Sequence, residues 1–423
     1  VNRAQNELWL NVFDVKTGKK IKTLWHEKNQ KWVEPEHPAY FIGEGNDFIW
    51  MSEKDGFMNM YLVDFDRKIT EFVFEGKPME VLQEGIKQIT NHRFVVKDIL
   101  EVDVSNKLIY YAATGENPCN TMIYVTDLVG NSKTLSKYEG VHRFDLSDDG
   151  LYYYIGYSST TMPNHEMIYT TNGKMAKFLK ESINPMNEYA LGTVEINSIK
   201  GKDGSDLYYR MVKPSNFDPK NKYPVLVYVY GGPHAQMVTN SFNGGANLWM
   251  NWLAEQGYIV FTLDNRGSAE RGFAFESQIH RQLGTVEMED QLSGVEFLKS
   301  LPYVDSERLA VHGWSFGGFM TTSLMLRHAG VFNVGVAGGP VTDWKFYEVM
   351  YGERYMDRPE ENKEGYAANA LSNYTKFLTG KLLLIHGTVD DVVVMQHNYS
   401  LVKKFVEDGK QMDFFPYPMH KHN

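Results

Sequence analysis

Near Pro185 the pattern of apolar residues changes period, and that change governs what the chain can fold into. Before it, short runs rich in aromatic and β-branched residues are separated by polar turns, the signature of strands. Residues 8–14 read as one strand, Thr17-Gly18-Lys19 as a turn and 21–24 as a second strand. The same phrase recurs from 48–51 to 60–64 and from 108–111 to 123–127, with a weaker copy from 151–155 to 167–170. Recurrence at roughly 40–50 residues predicts propeller blades, with a β-sandwich as the competing arrangement. Three to four such blades fit before residue 190, so a closed propeller calls for more chain upstream.

After the change, apolar runs of buried-strand type alternate with helical stretches. Strands are predicted at 194–199, 207–212, 223–230, 258–264, 309–314, 334–337 and 382–386, with a helix over 285–301 and another over 319–328. Such alternation makes a mostly parallel sheet covered on both faces. The expected organisation is a partial β-propeller over residues 1–189 and an α/β domain over 190–423. The chain opens at Val1 without a charged-then-apolar leader and stops at Met419-His420-Lys421-His422-Asn423, just after strand-like residues. It reads as a piece of a longer protein.

Composition removes several function classes. A net charge of −10 with no run of Lys and Arg argues against nucleic acid as a partner. Cys119 is the only cysteine, which excludes an internal disulfide and a Cys-rich zinc site. No stretch of about 18 apolar residues occurs, so no membrane span is expected. Aromatic residues reach 14% and favour aromatic-rich β-structure or an aromatic-lined site.

The chemistry centres on Gly313-Trp314-Ser315-Phe316-Gly317, which follows a predicted strand and precedes a predicted helix. In that context a G-x-S-x-G phrase is a nucleophile elbow: the flanking glycines let backbones pass closely while the serine projects from the sheet edge. An α/β-hydrolase supplies the remaining partners in the chain order serine, acid, histidine. Asp390 and Asp391 follow the strand 382–386 through Gly387-Thr388-Val389, and His420 and His422 lie beyond them. The same residues also fit plain alternatives, an Asx turn for Asp390 and exposed polar residues for the two histidines. A metal-binding His-x-His lacks a third ligand at suitable spacing. Oxyanion donors are expected from the Phe316 amide and from Tyr230, in the loop Tyr230-Gly231-Gly232-Pro233-His234. Trp344, Tyr347, Glu348 and Tyr351 fall on one face of a helix at i, i+3, i+4 and i+7, as a core stripe or a pocket wall. Glu348 favours the pocket, because a half-buried carboxylate requires a cationic partner such as a substrate ammonium.

These phrases resemble the prolyl oligopeptidase family of serine peptidases, of the dipeptidyl peptidase IV type. In the first half the likeness rests on Asn2-Arg3-Ala4-Gln5-Asn6-Glu7 and Val33-Glu34-Pro35-Glu36-His37-Pro38; in the second it rests on 228–236, 264–272, 280–289, 311–322 and 336–355. The resemblance implies a propeller followed by an α/β-hydrolase, with Ser315, Asp390 and His422 as the triad and Tyr230 with the Phe316 amide as oxyanion donors. It implies a proline pocket of Phe316, Val341, Trp344, Tyr347, Tyr351 and Val393, with Glu348 holding the substrate amine. The phrases are most like those of bacterial tripeptidyl members, and Val392 stands where dipeptidyl members carry an asparagine. The expected activity is therefore release of tripeptides after proline, with dipeptide release as the rival and a non-catalytic interaction protein as a reading from another class. The family further implies peptide substrates, no metal or organic cofactor, a homodimer, a periplasmic or cell-surface location, and a terminal helix after the triad histidine.

Overall fold

Phe48-Ile49-Trp50-Met51 is apolar without interruption, although a strand with one wet face would alternate. The computed structural model describes residues 1–66, 70–74, 77–81 and 85–422, and shows why. Phe48 and Trp50 pack with Leu8, Trp25 and Val63. Ile49 and Met51, pointing the other way, pack with Ile109, Tyr111 and Val96. The next sheet repeats this: Ile109, Tyr111 and Ala113 face backwards, while Ala112 and Ile123 face forwards onto Tyr153, Ile155 and Met167. Each central sheet is dry on both faces because another sheet lies against each, as in successive propeller blades.

Three of these sheets are four-stranded antiparallel units. The first comprises Tyr40–Phe41, Phe48–Ser52, Asn59–Val63 and Ile86–Gln88. The second runs through Val96–Asp103, Leu108–Ala113, Met122–Asp127 and Ser132–Thr134, and the third through Val141–Leu146, Tyr152–Ser158, His165–Thr170 and Met175–Glu181. Glu7–Phe13 and Lys20–Lys28 pair as a separate ribbon. The uneven spacing of the sequence repeat has a simple source. A hairpin of Thr70–Phe74 with Lys77–Val81 is inserted before the fourth strand of the first blade. Sequence patterning found the central strands of each blade but not the outer ones, such as Met175–Glu181, whose residues are all exposed and carry no alternation to read.

The chain divides into two compact units, Val1–Ser182 with Glu270–Ala274, and Ile183–Ala269 with Phe275–Asn423. The short segment Glu270–Ala274 groups with the β-rich unit through a Lys97–Glu270 ion pair at 2.9 Å and an edge-on contact of Phe273 with the buried Trp32.

The second unit is one eight-stranded sheet. Its strands are β1 (Val194–Lys200), β2 (Asp206–Val212), β3 (Tyr223–Tyr228), β4 (Ile259–Leu263), β5 (Val304–Trp314), β6 (Val334–Gly338), β7 (Lys381–Gly387) and β8 (Asp413–Tyr417). They lie in the order β1-β2-β4-β3-β5-β6-β7-β8. Only the pairs involving β2 are antiparallel; from β4 to β8 every pair is parallel. The connecting helices are α1 (Leu248–Glu255), α2 (Val286–Ser300), α3 (Phe316–Arg327), α4 (Val349–Met356), α5 (Lys363–Asn369) and α6 (Gln396–Glu407). Every α3 residue from Phe316 to Leu326 is buried, which is why that helix is apolar or small all round rather than amphipathic. Among the described residues no helix is long and apolar enough to cross a membrane.

The stacking of the sheets in the first unit makes a direct prediction. Ile109 is fully buried between two of them, so Ile109→Ala should cost roughly 2–4 kcal/mol. Val129→Ala, at a side chain that is 69% exposed, should stay within about 0.5 kcal/mol. Urea unfolding of the two variants beside wild type checks both values.

Candidate active site

The loops that follow β3, β5, β7 and β8 all leave the sheet at its carboxyl end, where ligands bind in open α/β sheets. They carry Tyr230, Ser315, Asp390 and His422, in that order.

Ser315 sits between β5 and α3 with φ 61° and ψ −118°, a backbone conformation that a side-chain-bearing residue adopts only under constraint. The constraint is crowding. A Cβ at Gly313 would lie 2.2 Å from the Val229 carbonyl oxygen, and one at Gly317 would meet the same atom at 2.2 Å. Two glycines thus allow β3, β5 and α3 to converge, and the Ser315 amide is pinned to the Gly338 carbonyl at 2.8 Å. This is the strained turn read from the sequence.

Asp390 is held by its own loop. Its Oδ1 accepts from the amides of Val392 (2.9 Å) and Val393 (2.8 Å), and its Oδ2 lies 2.7 Å from His422 Nδ1. Both members of that pair are buried. A carboxylate on Nδ1 places the ring proton there and leaves Nε2 as the basic nitrogen, the tautomer a general base requires. The His422 ring lies against Gly339, and its carbonyl accepts from Trp314 Nε1 at 2.6 Å, so the residue beside the serine also fixes the histidine backbone. The neighbours are excluded by geometry: Asp391 is exposed and paired with Lys421 at 2.7 Å, and His420 is exposed and packs edge-on against Tyr417.

The Tyr230 hydroxyl lies beside the Ser315 side chain. Burial raises its phenol above the usual range, so it keeps its proton at neutral pH and serves as a donor. The Phe316 amide belongs to the first turn of α3, where N–H groups lack intrahelical partners.

Around these groups stands an aromatic box. Phe316 and Trp344 are in contact with ring centres 5.4 Å apart, Trp344 stacks on Tyr351 at 5.9 Å and 17°, and Tyr347 meets both edge-on. Val341 and Val393 are buried. One expectation is corrected here. Trp344, Tyr347, Glu348 and Tyr351 do not share a helix face: Trp344–Phe346 is a single 3-10 turn, Tyr347 is extended, and Glu348 is the N-cap of α4. Nor is Glu348 half-buried. Its carboxylate is exposed and accepts from the Met350 amide (3.0 Å) and the Tyr351 amide (2.8 Å), so a helix terminus satisfies it where a cationic partner was expected.

Sequence reasoning missed the polar residues behind the acid. His386, His397 and Asn398 are all fully buried. The only trace of His386 was a histidine closing an apolar strand. It also missed Glu287 in the first turn of α2, fully buried with one oxygen on the Gly284 amide at 2.9 Å and the other without a partner.

A serine on a strained elbow, a buried aspartate–histidine pair and a donor hydroxyl at the ends of a mostly parallel sheet define an α/β-hydrolase. The sequence pattern of the Prolyl oligopeptidase family matches residues 246–423, and that of the Dipeptidyl peptidase IV N-terminal region matches 1–164. The chain belongs to the prolyl oligopeptidase family, with the partial propeller of the dipeptidyl peptidase IV type ahead of the hydrolase. Its structure is similar to that of a putative dipeptidyl aminopeptidase IV from Bacteroides ovatus, with 43% identity, a TM-score of 0.93, and all of this chain against 61% of that one. It is also similar to Porphyromonas gingivalis dipeptidyl peptidase 4, at 30% identity and a TM-score of 0.88 over all of this chain and 58% of that one. Homo sapiens dipeptidyl peptidase 8 is 30% identical over 99% of this chain and 47% of its own length. The chain spans about half the length of the curated relatives it matches.

Glu287 gives a testable pH dependence. Burial pushes its carboxyl from 4.5 up to about 8. Between those values the unfolded chain has released a proton that the folded chain retains, so stability falls as pH rises, by at most ~1.4 kcal/mol per pH unit. Urea midpoints of wild type should therefore decline from about pH 5 to pH 8 more steeply than those of Glu287→Gln, which has no proton to release.

Proposed function

We propose that this chain carries the catalytic unit of a serine exopeptidase that cleaves after proline near a free N-terminus. The observation that carries the reading is the buried Asp390–His422 contact at 2.7 Å together with a serine on a strained elbow whose neighbour Phe316 belongs to a cluster of packed aromatic rings. In the proposed cycle Ser315 Oγ attacks the carbonyl carbon after proline while His422 Nε2 takes its proton. The oxyanion is received by the Tyr230 hydroxyl and the Phe316 amide. The C–N bond then breaks, the amine departs with the proton from His422, and water repeats the sequence on the ester to free the peptide and Ser315. Each step uses a side chain or amide of this chain. The pyrrolidine ring is rigid and apolar, and burying it against Phe316, Trp344, Tyr347 and Tyr351 fixes the scissile carbonyl at little entropic cost.

Dipeptide release is the favoured product, on two grounds: the similar proteins are named as dipeptidyl enzymes, and the Glu348 carboxylate already caps α4. Tripeptide release is the second reading, supported by Val392, which offers no polar side chain to a substrate carbonyl, and by the exposure of Glu348 near the box. A homodimer acting in the periplasm or at the cell surface belongs to the same proposal and rests on the resemblance.

Chromogenic anilides of Ala-Pro and Ala-Ala-Pro, with free and blocked amines, separate these readings. Cleavage of free Ala-Pro at least as fast as Ala-Ala-Pro supports dipeptide release, and exclusive cleavage of free Ala-Ala-Pro establishes tripeptide release. Tyr230→Phe should lower kcat by roughly 10²–10³-fold, the effect of losing one oxyanion donor. Ser315→Ala should abolish turnover, and persistence of full activity in that variant removes the peptidase reading.

A further inference from the structure

His386 is the last side chain of β7 before Gly387 and is fully buried. Its Nε2 lies 2.6 Å from the Val393 carbonyl oxygen and 3.2 Å from Asp390 Oδ2. Both are acceptors, so Nε2 carries the proton. On the other side Nδ1 lies 2.9 Å from the Asn398 amide nitrogen, which donates to it from α6. The partners therefore fix one neutral tautomer, and burial works in the same direction by lowering the basicity of the ring. The charged or titratable groups around it are Asp390 and His422, with His397 beyond, which burial holds neutral with a pKa of about 4.

The contacts converge on one loop. Val393 is clamped at both of its backbone polar groups, its amide by Asp390 Oδ1 at 2.8 Å and its carbonyl by His386. Asp390 Oδ2 is flanked by two imidazoles, His422 at 2.7 Å and His386 at 3.2 Å. Burying an imidazole is costly unless both nitrogens are paired. Here one nitrogen is paired by α6 and the other by the loop that carries the acid and the buried Val393, which the family resemblance assigns to the proline pocket.

We propose, resting on the peptidase reading above, that His386 is a positioning residue. It sets the Asp390–Val393 loop so that Oδ2 stays on His422 Nδ1 and the Val393 side chain stays in the wall of the proline pocket. Acid alignment and substrate selection are thereby tied to one buried hydrogen-bond donor.

The test uses the full chain with His386→Leu, His386→Gln and Asn398→Asp, compared by fluorophosphonate labelling, pH profiles of kcat/KM, and preference for proline over alanine before the scissile bond. Losing a donor beside Asp390 concentrates charge on the carboxylate and favours the imidazolium of His422. His386→Leu should therefore lower kcat by about tenfold, move the acidic limb to higher pH and reduce the preference for proline. His386→Gln, whose amide N–H reaches the same carbonyl, should restore most of all three. Asn398→Asp draws a proton onto Nδ1 and sets a cation beside Asp390, so its acidic limb should move to lower pH. A folded His386→Leu with wild-type profile and preference overturns the proposal, and so does a Gln variant no better than Leu. If Leu fails to fold, Asn398→Asp still decides: an acidic limb that stays at its wild-type position in that variant, beside a wild-type-like Gln variant, overturns the proposal. Wild type that is neither labelled nor active would refute the peptidase reading itself, and the role of His386 with it.

Discussion

The carboxylate of Asp390 is the constraint on which the rest of the site depends. A buried negative charge is tolerated only with hydrogen-bond donors around it, and two backbone amides and an imidazole N–H are directed at this one. Meeting that demand bends the loop after β7, sets the backbone of Val393 and fixes which nitrogen of His422 is free. The remaining parts follow from sheet geometry. Because β3, β5, β7 and β8 end on one side, a short loop from each reaches the same place.

The strain at Ser315 and the burial at Asp390 are two uses of a rigid support. The unfavourable φ of the serine persists because Gly313, Gly317 and the Val229 carbonyl leave no alternative path for the chain. The buried acid persists because the sheet is dry around it. Neither feature stabilises the protein by itself. Both draw on the apolar layers formed by α3 and the central strands, which explains why the helix behind the serine contains hardly an exposed residue.

Much of this was legible in the sequence because the signals are local. Gly313 and Gly317 around Ser315 mark a backbone that must pass close to another, and uninterrupted runs such as 223–230 mark strands covered on both faces. Chain order and loop position narrow the acid to Asp390 or Asp391 and the base to His420 or His422, the family resemblance chooses Asp390 and His422, and the structure pairs those two at 2.7 Å. Long-range polar pairing was not legible. His386 looks like any histidine ending a strand, and only the folded loop shows Asp390 Oδ2 and the Val393 carbonyl on its Nε2. Glu348 failed in the opposite way: an i, i+3, i+4, i+7 spacing suggested one helix, but a helix start inside the pattern made the glutamate a cap. In the first unit outer strands such as Ser132–Thr134 and Met175–Glu181 were missed because fully exposed strands have no hydrophobic period.

The most direct test of the central claim, that a histidine aligned by Asp390 activates Ser315, is fluorophosphonate labelling followed by peptide mapping. A single adduct on the peptide that contains Ser315 is predicted for wild type, none on that peptide for Ser315→Ala, and formation slowed by several orders of magnitude for Asp390→Asn. Absence of the adduct in folded wild type, or labelling of Asp390→Asn at the wild-type rate, would contradict it.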